Sequence, residues 1–322
     1  MVPFPDRPQY RAIVAVSQRI LDGLLTAWVT VTFTFFALRI AAGDPLASLL
    51  SQGLITHENV EQIRIQLGLD QPLLTQYMQF LSSLLHGDLG KSLYTKRSVS
   101  QIIFEQLPST IELALSALLI GLILGIIIGT TAAWKRGSLG AILAESLSGL
   151  ATALPVAFTG ILGILFVSWL IGGLPGNIGL SSVKNLLLPA SVLGFASAGP
   201  IARVIQSGLE ESIQKPYILA ARARGISGGL RLFWHALRPA LPPVISLTAL
   251  QAAFLFGGTV ITEVVFSRPG LGRLLISSIL QGDFPIAQGI VILAALLYTF
   301  SHHLADILAM VIDPRLENEH EK

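Results

Sequence analysis

Apolar residues in this chain come in long blocks, with polar residues gathered between them. Blocks near the roughly 20 residues a helix needs to cross a hydrocarbon core run over residues 20–40, 110–134, 139–171, 187–205, 241–265 and 286–312. They predict six membrane-spanning helices. Asp22 and Arg39 stand at the two ends of the first, where both reach an interface. The third is longer than a perpendicular helix needs, and Pro155 predicts a kink in it. The fourth holds Pro189 and Pro200 and is expected to be the least regular. Turn chemistry at Gly172, Gly173, Leu174, Pro175 and Gly176 reverses the chain after the third, and a short loop through Ser267 to Gly272 joins the fifth to the sixth.

Two polar stretches break this series. Residues 41–108 form an insertion in which Thr56 is expected to cap a short helix with Val60, Ile63 and Leu67 on one stripe, stopped by Gly68. A second amphipathic helix, Leu73 to Leu85, aligns Leu73, Tyr77, Phe80, Leu81 and Leu84. The other stretch is a basic island between spans four and five. At helical period Tyr217, Ala220, Ala221 and Arg224 share a face, and Gly225 with Ser227, Gly228 and Gly229 ends that helix. A following short helix groups Leu230, Phe233, Trp234 and Leu237 against Arg231, His235 and Arg238, before Pro239, Pro242 and Pro243 lead into the next span. Such an element suits two roles: lying among lipid headgroups with its arginines on phosphates, or docking onto a partner protein.

Composition agrees with a bilayer. Of 322 residues, 52% are hydrophobic and 12% charged, with a mean hydropathy of +0.69, too few polar residues to solvate a globule of this length. No cysteine is present, which excludes disulfides and thiolate metal sites, and the net charge of +2 gives no reason to expect nucleic acid. The placement of charge is more informative. Thirteen Lys and Arg residues (7, 11, 19, 135, 136, 203, 215, 222, 224, 231, 238, 315 and 322) fall on one side of the spans, against four (39, 184, 268 and 273) in the short loops and edges of the other. Both termini and the island are therefore expected in the cytoplasm and the 41–108 insertion outside. The N-terminus has three arginines before its apolar run, but Asp6 and its prolines do not suit a secretory n-region, so it is read as an uncleaved tail. The expected layout is a tail over 1–19, span one over 20–40, an outer helical cap over 41–108, a core over 109–312 containing the island at 206–240, and a tail over 313–322.

Several residues invite chemical readings. Gly90, Lys91 and Ser92 resemble the end of a phosphate-binding loop, but Leu85 stands where that motif requires glycine and no strand precedes it. Glu263, in the fifth span, is a costly carboxyl that points to a pathway or outer gate, with plain structural pairing as the alternative. Glu145 lies nearer the cytoplasmic interface, where snorkelling or pairing with Lys135 or Arg136 is expected. His302 or His303 shares a face with Asp306, too few ligands for a metal, so helix packing is preferred to a metal or proton site. Gly121, Gly125 and Gly129 form a small-residue row that lets a helix approach closely, either in this chain or in a second subunit.

The island is similar to the cytoplasmic loop of ABC-importer permeases, through Ala220, Ala221, Gly225 and Leu237 at the family's spacing. Leu219, His235 and Arg238 depart from the general motif. The run Tyr217, Ala221, Arg222, Ala223, Arg224, Gly225, Ile226, Ser227, followed by His235, Ala236, Leu237, Arg238, resembles the form found in dipeptide, oligopeptide and nickel permeases. Gly43-Asp44-Pro45, Leu67 to Leu73, Gly87 to Gly90, Leu107 to Leu113, Phe266 to Gly272 and Asp313-Pro314-Arg315 follow the same family in order. The resemblance implies an all-α membrane protein of the type I importer kind, with six spans and an outer helical insertion between the first two. It implies half of a translocation pathway for small solutes, with di- or oligopeptides first and nickel or another solute as the alternative. Its partners would be a second permease, two ATPase subunits that hold ATP and magnesium, an extracytoplasmic binding protein and membrane lipid. No cofactor, metal or catalytic residue is expected in the chain itself. Tyr217, Ala220, Ala221, Arg222, Arg224, Gly225, His235 and Leu237 would form the ATPase-docking loop; Glu263, Phe266, Pro269, Gly270 and Gly272 would be pathway or gate residues. A different class, an ion-coupled carrier acting alone, would draw on Glu263, His302 and Asp306.

Overall fold

The computed structural model describes the backbone of residues 8–41, 44–51, 53, 55–134, 136–171 and 182–312, with the side chains of 8–20, 41, 171, 182–184, 253 and 305–312 left aside. The expected turn at 172–176, Gly43, Lys135, the Asp313-Pro314-Arg315 block and the side chain of Asp306 lie outside the described residues.

In chain order the helices are α1 (Pro8–Ala41), α2 (Pro45–Ser51), α3 (Val60–Gln66), α4 (Leu73–Leu85), α5 (Val99–Trp134), α6 (Leu139–Ala153), α7 (Val156–Ile171), α8 (Ser182–Ile213) and α9 (Pro216–Ala223). There follow α10 (Gly228–Leu230), a π-helical stretch (Arg231–Leu237) and α11 (Arg238–Val265), then α12 (Leu271–Gln281) and α13 (Phe284–Ile312). Among the described residues four helices are long and apolar enough to cross a bilayer, and six if each of two bent pairs counts as one span. The chain forms two compact units, one from the N-terminal segment to Pro108 with Arg273–Phe300, the other from Ser109–Gly272 with the segment from Ser301.

In the first unit, the aromatic rings of α1 and α4 build a local core. Phe35, fully buried, meets Tyr77 and Phe80 with ring centroids 5.3 Å away in each case, and Tyr77 Oη and Thr32 Oγ1 share a 2.7 Å hydrogen bond. Helix α3 starts at Asn59 with no side-chain cap; Thr56 instead gives its carbonyl to the Asn59 and Val60 amides. Gly68, at φ +65°, ends it as expected. Arg64 reaches Asp44 at 2.5 Å, a partly exposed pair that holds the Arg64 proton more firmly than usual, chiefly through that hydrogen bond. The segment after Gly90 is no phosphate cradle. Ser92, buried, donates its hydroxyl to Asp283 at 2.6 Å and accepts from the Tyr94 and Thr95 amides. Asp283, also buried, takes the Leu93 amide at 3.1 Å.

In the second unit, α8 packs against α6 and α11, and α11 against α7. The glycine row of α5 explains one close approach: a Cβ on Gly125 would lie 2.7 Å from Ile201 Cβ, and one on Gly121 2.9 Å from the Gly194 carbonyl. The row therefore seats α8 of this same chain. Gly194 returns the contact, since a Cβ there would lie 2.8 Å from the Ala117 carbonyl. Ile201, Ile205 and Leu209 of α8, all fully buried, carry the core onward to Leu232, Ala236, Ala240 and Val244.

Four expectations need correction. The third span is two helices bent by 113° at Leu154 and Pro155, far beyond a kink. Proline removes the amide that would bond back to Ala151, and Leu154, extended at ψ 128°, obeys the bias of a residue before proline. The fourth is one continuous helix through Pro189 and Pro200, which membrane helices tolerate when neighbours re-satisfy freed backbone groups. Ser148 of α6 packs on this helix and donates to the Gly199 carbonyl at 3.1 Å, while the carbonyl that Pro200 leaves without its helical amide is that of Ala196. The second span begins at Val99, so Pro108, taken as the end of the polar insertion, lies inside α5. Helices α2 and α12 were not expected at all; α2 is a short run of seven residues, and α12 (LGRLLISSILQ) is apolar and amphipathic but too short to count as a span.

Candidate functional site

Helix α9 is set out by its own sequence. Pro216 occupies the first turn, where its missing amide costs nothing. The helix closes on a Schellman turn: the Ile226 amide bonds to the Ala221 carbonyl at 3.2 Å and the Gly225 amide to Arg222 at 3.0 Å, with Gly225 at φ +75°. Ile218 and Ala221 face the protein, joined to the core of α8 and α11. Tyr217, Ala220, Arg222 and Arg224 are exposed. The expected shared face thus divides: Ala221 anchors the helix, while Tyr217, Ala220 and Arg224 point outward. A Cβ at Gly225 would meet nothing within 4 Å, so the turn stands free of the rest of the chain.

The second island helix differs more. Leu230, Phe233 and Trp234, grouped with Leu237 on one side by the sequence, are exposed, and only Leu237 of that group is buried. Leu232, Ala236 and Ala240 take their place. The cause is the π-helical stretch Arg231–Leu237. Bonding from i to i+5 widens each turn, so a face counted at 3.6 residues per turn rotates out of register. His235 is half-buried. The run continues into α11 with Pro239 in its first turn and Pro242 and Pro243 within it, so the prolines do not separate the island from the span.

Glu263 is 0% exposed. One carboxyl oxygen accepts from Thr110 Oγ1 at 2.6 Å and the other from the Gly272 amide at 2.7 Å. Thr110 Oγ1 in turn accepts from the Leu271 amide at 2.8 Å. The backbone of Glu263 works on the same loop: its carbonyl accepts from Arg268 at 2.9 Å, closing a Schellman turn in which Ser267 holds φ +51°. A side chain on Gly270 would collide with the Glu263 carboxyl group, and one on Gly272 would lie 3.0 Å from Val260 Cβ. Arg268 crosses to Glu112 at 2.6 Å and to the Ser109 carbonyl at 3.2 Å, and Ser109 Oγ donates to the Pro269 carbonyl at 2.5 Å. These contacts serve the structural role that stood as the alternative for Glu263. They bring Glu263, Pro269, Gly270 and Gly272 into one tied turn, with Phe266 at its start. Thr110 was not singled out in the sequence; a hydroxyl two residues past Pro108, in the Leu107 to Leu113 block, was the available signal.

The other candidates stand apart. Arg136 pairs with Glu210, and Glu145 accepts instead from Gln206 Nε2 at 3.1 Å, so the expected Glu145 pairing with Arg136 is not made. His302 is exposed, and the His302 and His303 rings lie 6.1 Å apart. Among the described residues no three His, Asp or Glu side chains converge on a metal-sized site.

Residues 101–318 match the family described as binding-protein-dependent transport system inner membrane component, and residues 13–114 match its N-terminal counterpart. The chain is 36% identical over 308 residues to a Brucella suis protein named as a peptide transport system permease, covering 94% of this chain and 98% of that protein. It is 33% identical to the di/tripeptide transport system permease DppB of Pseudomonas aeruginosa, with the same coverage. A chain of the inward-facing MetNI methionine ABC transporter matches with a TM-score of 0.53 over 66% of this chain and 97% of that one, at 17% identity, a likeness of fold. An all-helical membrane architecture and an ABC-permease island thus coincide with end-to-end relatives, and the chain belongs to the family of binding-protein-dependent transport system inner membrane components, the permeases of ABC importers.

Proposed function

We propose that this chain forms half of the translocation pathway of an ATP-driven importer of small peptides. It pairs with a second, similar permease, two ATPase subunits that hold ATP and magnesium drive it, and an extracytoplasmic binding protein delivers its substrate. The observation that carries this reading is α9: a short helix anchored by Ile218 and Ala221, closed by a preorganised turn at Gly225, with Tyr217, Ala220 and Arg224 left outward. A rigid, exposed element loses little entropy on docking. Peptide is preferred to nickel because the relatives carry peptide names.

In liposomes the chain alone should take up no dipeptide under an imposed proton or sodium gradient. Uptake should appear only with ATP, the second permease, the ATPases and the binding protein together. Gradient-driven uptake by the single chain would overturn the reading in favour of a stand-alone carrier.

In this reading both termini and the island lie in the cytoplasm and the residue 44–107 cap outside, an orientation that the charge bias supports. In a chain without cysteine, Asn59→Cys, at an exposed position, should react with an impermeant thiol reagent in intact spheroplasts. Labelling that begins only after the membrane is opened would reverse the orientation.

A further inference from the structure

Beside α9 lies a cavity of about 360 Å³ walled by Trp134, Ile218, Leu219, Leu232, Arg222 and Arg231. A second depression of about 400 Å³ shares Trp134 and Leu232 with it and extends past Thr131, Ser138 and Phe233. Arg231 and the Trp134 ring converge on Gly228: a Cβ there would sit 3.5 Å from Trp134 Cη2 and 3.8 Å from Arg231 Nη2. The carboxylates nearest in sequence are engaged elsewhere, Glu210 by Arg136 and Glu211 by Lys215 at 2.8 Å. Among the described residues Arg222 and Arg231 have no ion-pair partner, so two cations face a cavity that supplies no anion. Its lining is apolar and aromatic, with Trp134 (39%) and Leu219 exposed and, in the adjoining depression, Phe233 (60%) exposed too.

Paired guanidiniums suit a phosphate group. Exposed tryptophan and phenylalanine beside them suit the boundary between headgroups and acyl chains. Only an amphiphile satisfies both. We propose that this cavity is a binding site for one anionic phospholipid, its phosphate between Arg222 and Arg231 and its glycerol and first acyl carbons along Trp134 and Phe233. The helix geometry keeps this site apart from the outward face of α9: Leu219 and Arg222, three residues apart, line the flank, whereas Tyr217, Ala220 and Arg224 lie around the helix from them. A bound lipid would brace α9 from behind without covering its docking face.

The test uses the full-length chain, purified alone and exchanged into mixed micelles of phosphatidylglycerol and phosphatidylethanolamine, with retained lipid read by native mass spectrometry. One phosphatidylglycerol should stay bound per chain. Arg222→Gln and Arg231→Gln should each lower its retention about fivefold, the worth of one basic residue at an anionic surface. Gly228→Leu fills the cavity at a position with no positive φ and should also expel the lipid while both arginines remain. Arg224→Gln, on the outward face, should leave retention unchanged. Equal retention in the Arg222, Arg231 and Gly228 variants would overturn the site, as would displacement of the lipid by millimolar inorganic phosphate, which would make it a site for the free anion. Because no ATPase is present, failure here leaves the importer reading standing.

Discussion

Replacing Gly225 with valine is expected to cut peptide uptake and permease-stimulated ATP hydrolysis by at least about tenfold while the chain still inserts. A β-branched side chain at φ +75° costs about 1–2 kcal/mol even before its own crowding is counted, and it acts on a turn held by only two backbone hydrogen bonds, from Ile226 and Gly225. The loss would be local, because a Cβ at this position meets no other part of the chain; insertion and detergent stability should stay near wild type. Gly225→Ala should give the same strain with less bulk and a smaller loss. Arg222→Glu and Arg231→Glu provide the contrast: a helix that only adheres to lipid would suffer more from those reversals than from a changed turn. Full ATPase coupling in Gly225→Val, measured in reconstituted proteoliposomes, would end the docking assignment for α9.

Glu263→Ala is expected to destabilise the chain by about 3 kcal/mol, because it leaves the Thr110 hydroxyl and the Gly272 amide as buried donors without acceptors, at about 1–3 kcal/mol each. The backbone bonds that hold Ser267 at positive φ remain, but the loop beyond it loses the carboxyl group that ties Gly272 to Thr110. Glu263→Gln retains one carbonyl acceptor but turns an amino group toward one of the two donors, so it should fall between alanine and wild type. Thermal unfolding of the purified variants in detergent reads the order. A Glu263→Ala chain of unchanged stability that nonetheless transports poorly would mean that the carboxyl group serves the pathway rather than the turn. Thr110→Val offers a second view: it removes the hydroxyl that joins Glu263 to the Leu271 amide and should lower stability in the same direction.

The spans were legible because a bilayer sets a length. Any uninterrupted apolar block near that length becomes a helix there, and α1, α5, α8, α11 and α13 contain the predicted cores of spans one, two, four, five and six. Glycine was legible for a similar reason. At Gly68 and Gly225 the sequence dictates a left-handed residue that others avoid, and the helices end there. The family was legible because its motifs recur in order from end to end.

Proline was read less well, since its effect depends on what lies next to it. Pro155 breaks a span in two, while Pro108, Pro189 and Pro200 sit inside continuous helices, a difference that the proline residues themselves do not signal. Which residues of the second island helix share a face was not legible, because its hydrogen bonds shift to i+5, a change of period with no marker in the sequence. The sequence alone determined which segments are long and apolar enough to cross a membrane, where helices α3 and α9 stop and which family the chain resembles, because these follow from local length, backbone conformation and motif order. Tertiary structure decided that the Gly121, Gly125 and Gly129 row meets α8 of the same chain, that Glu263 ties a turn through Thr110 153 residues away, and that Arg222 and Arg231 share one cavity. The first two join residues distant in the chain, and the third sets two nearby arginines against Trp134 of another helix; arrangements of that kind are set by three-dimensional packing rather than by any pattern a single segment carries.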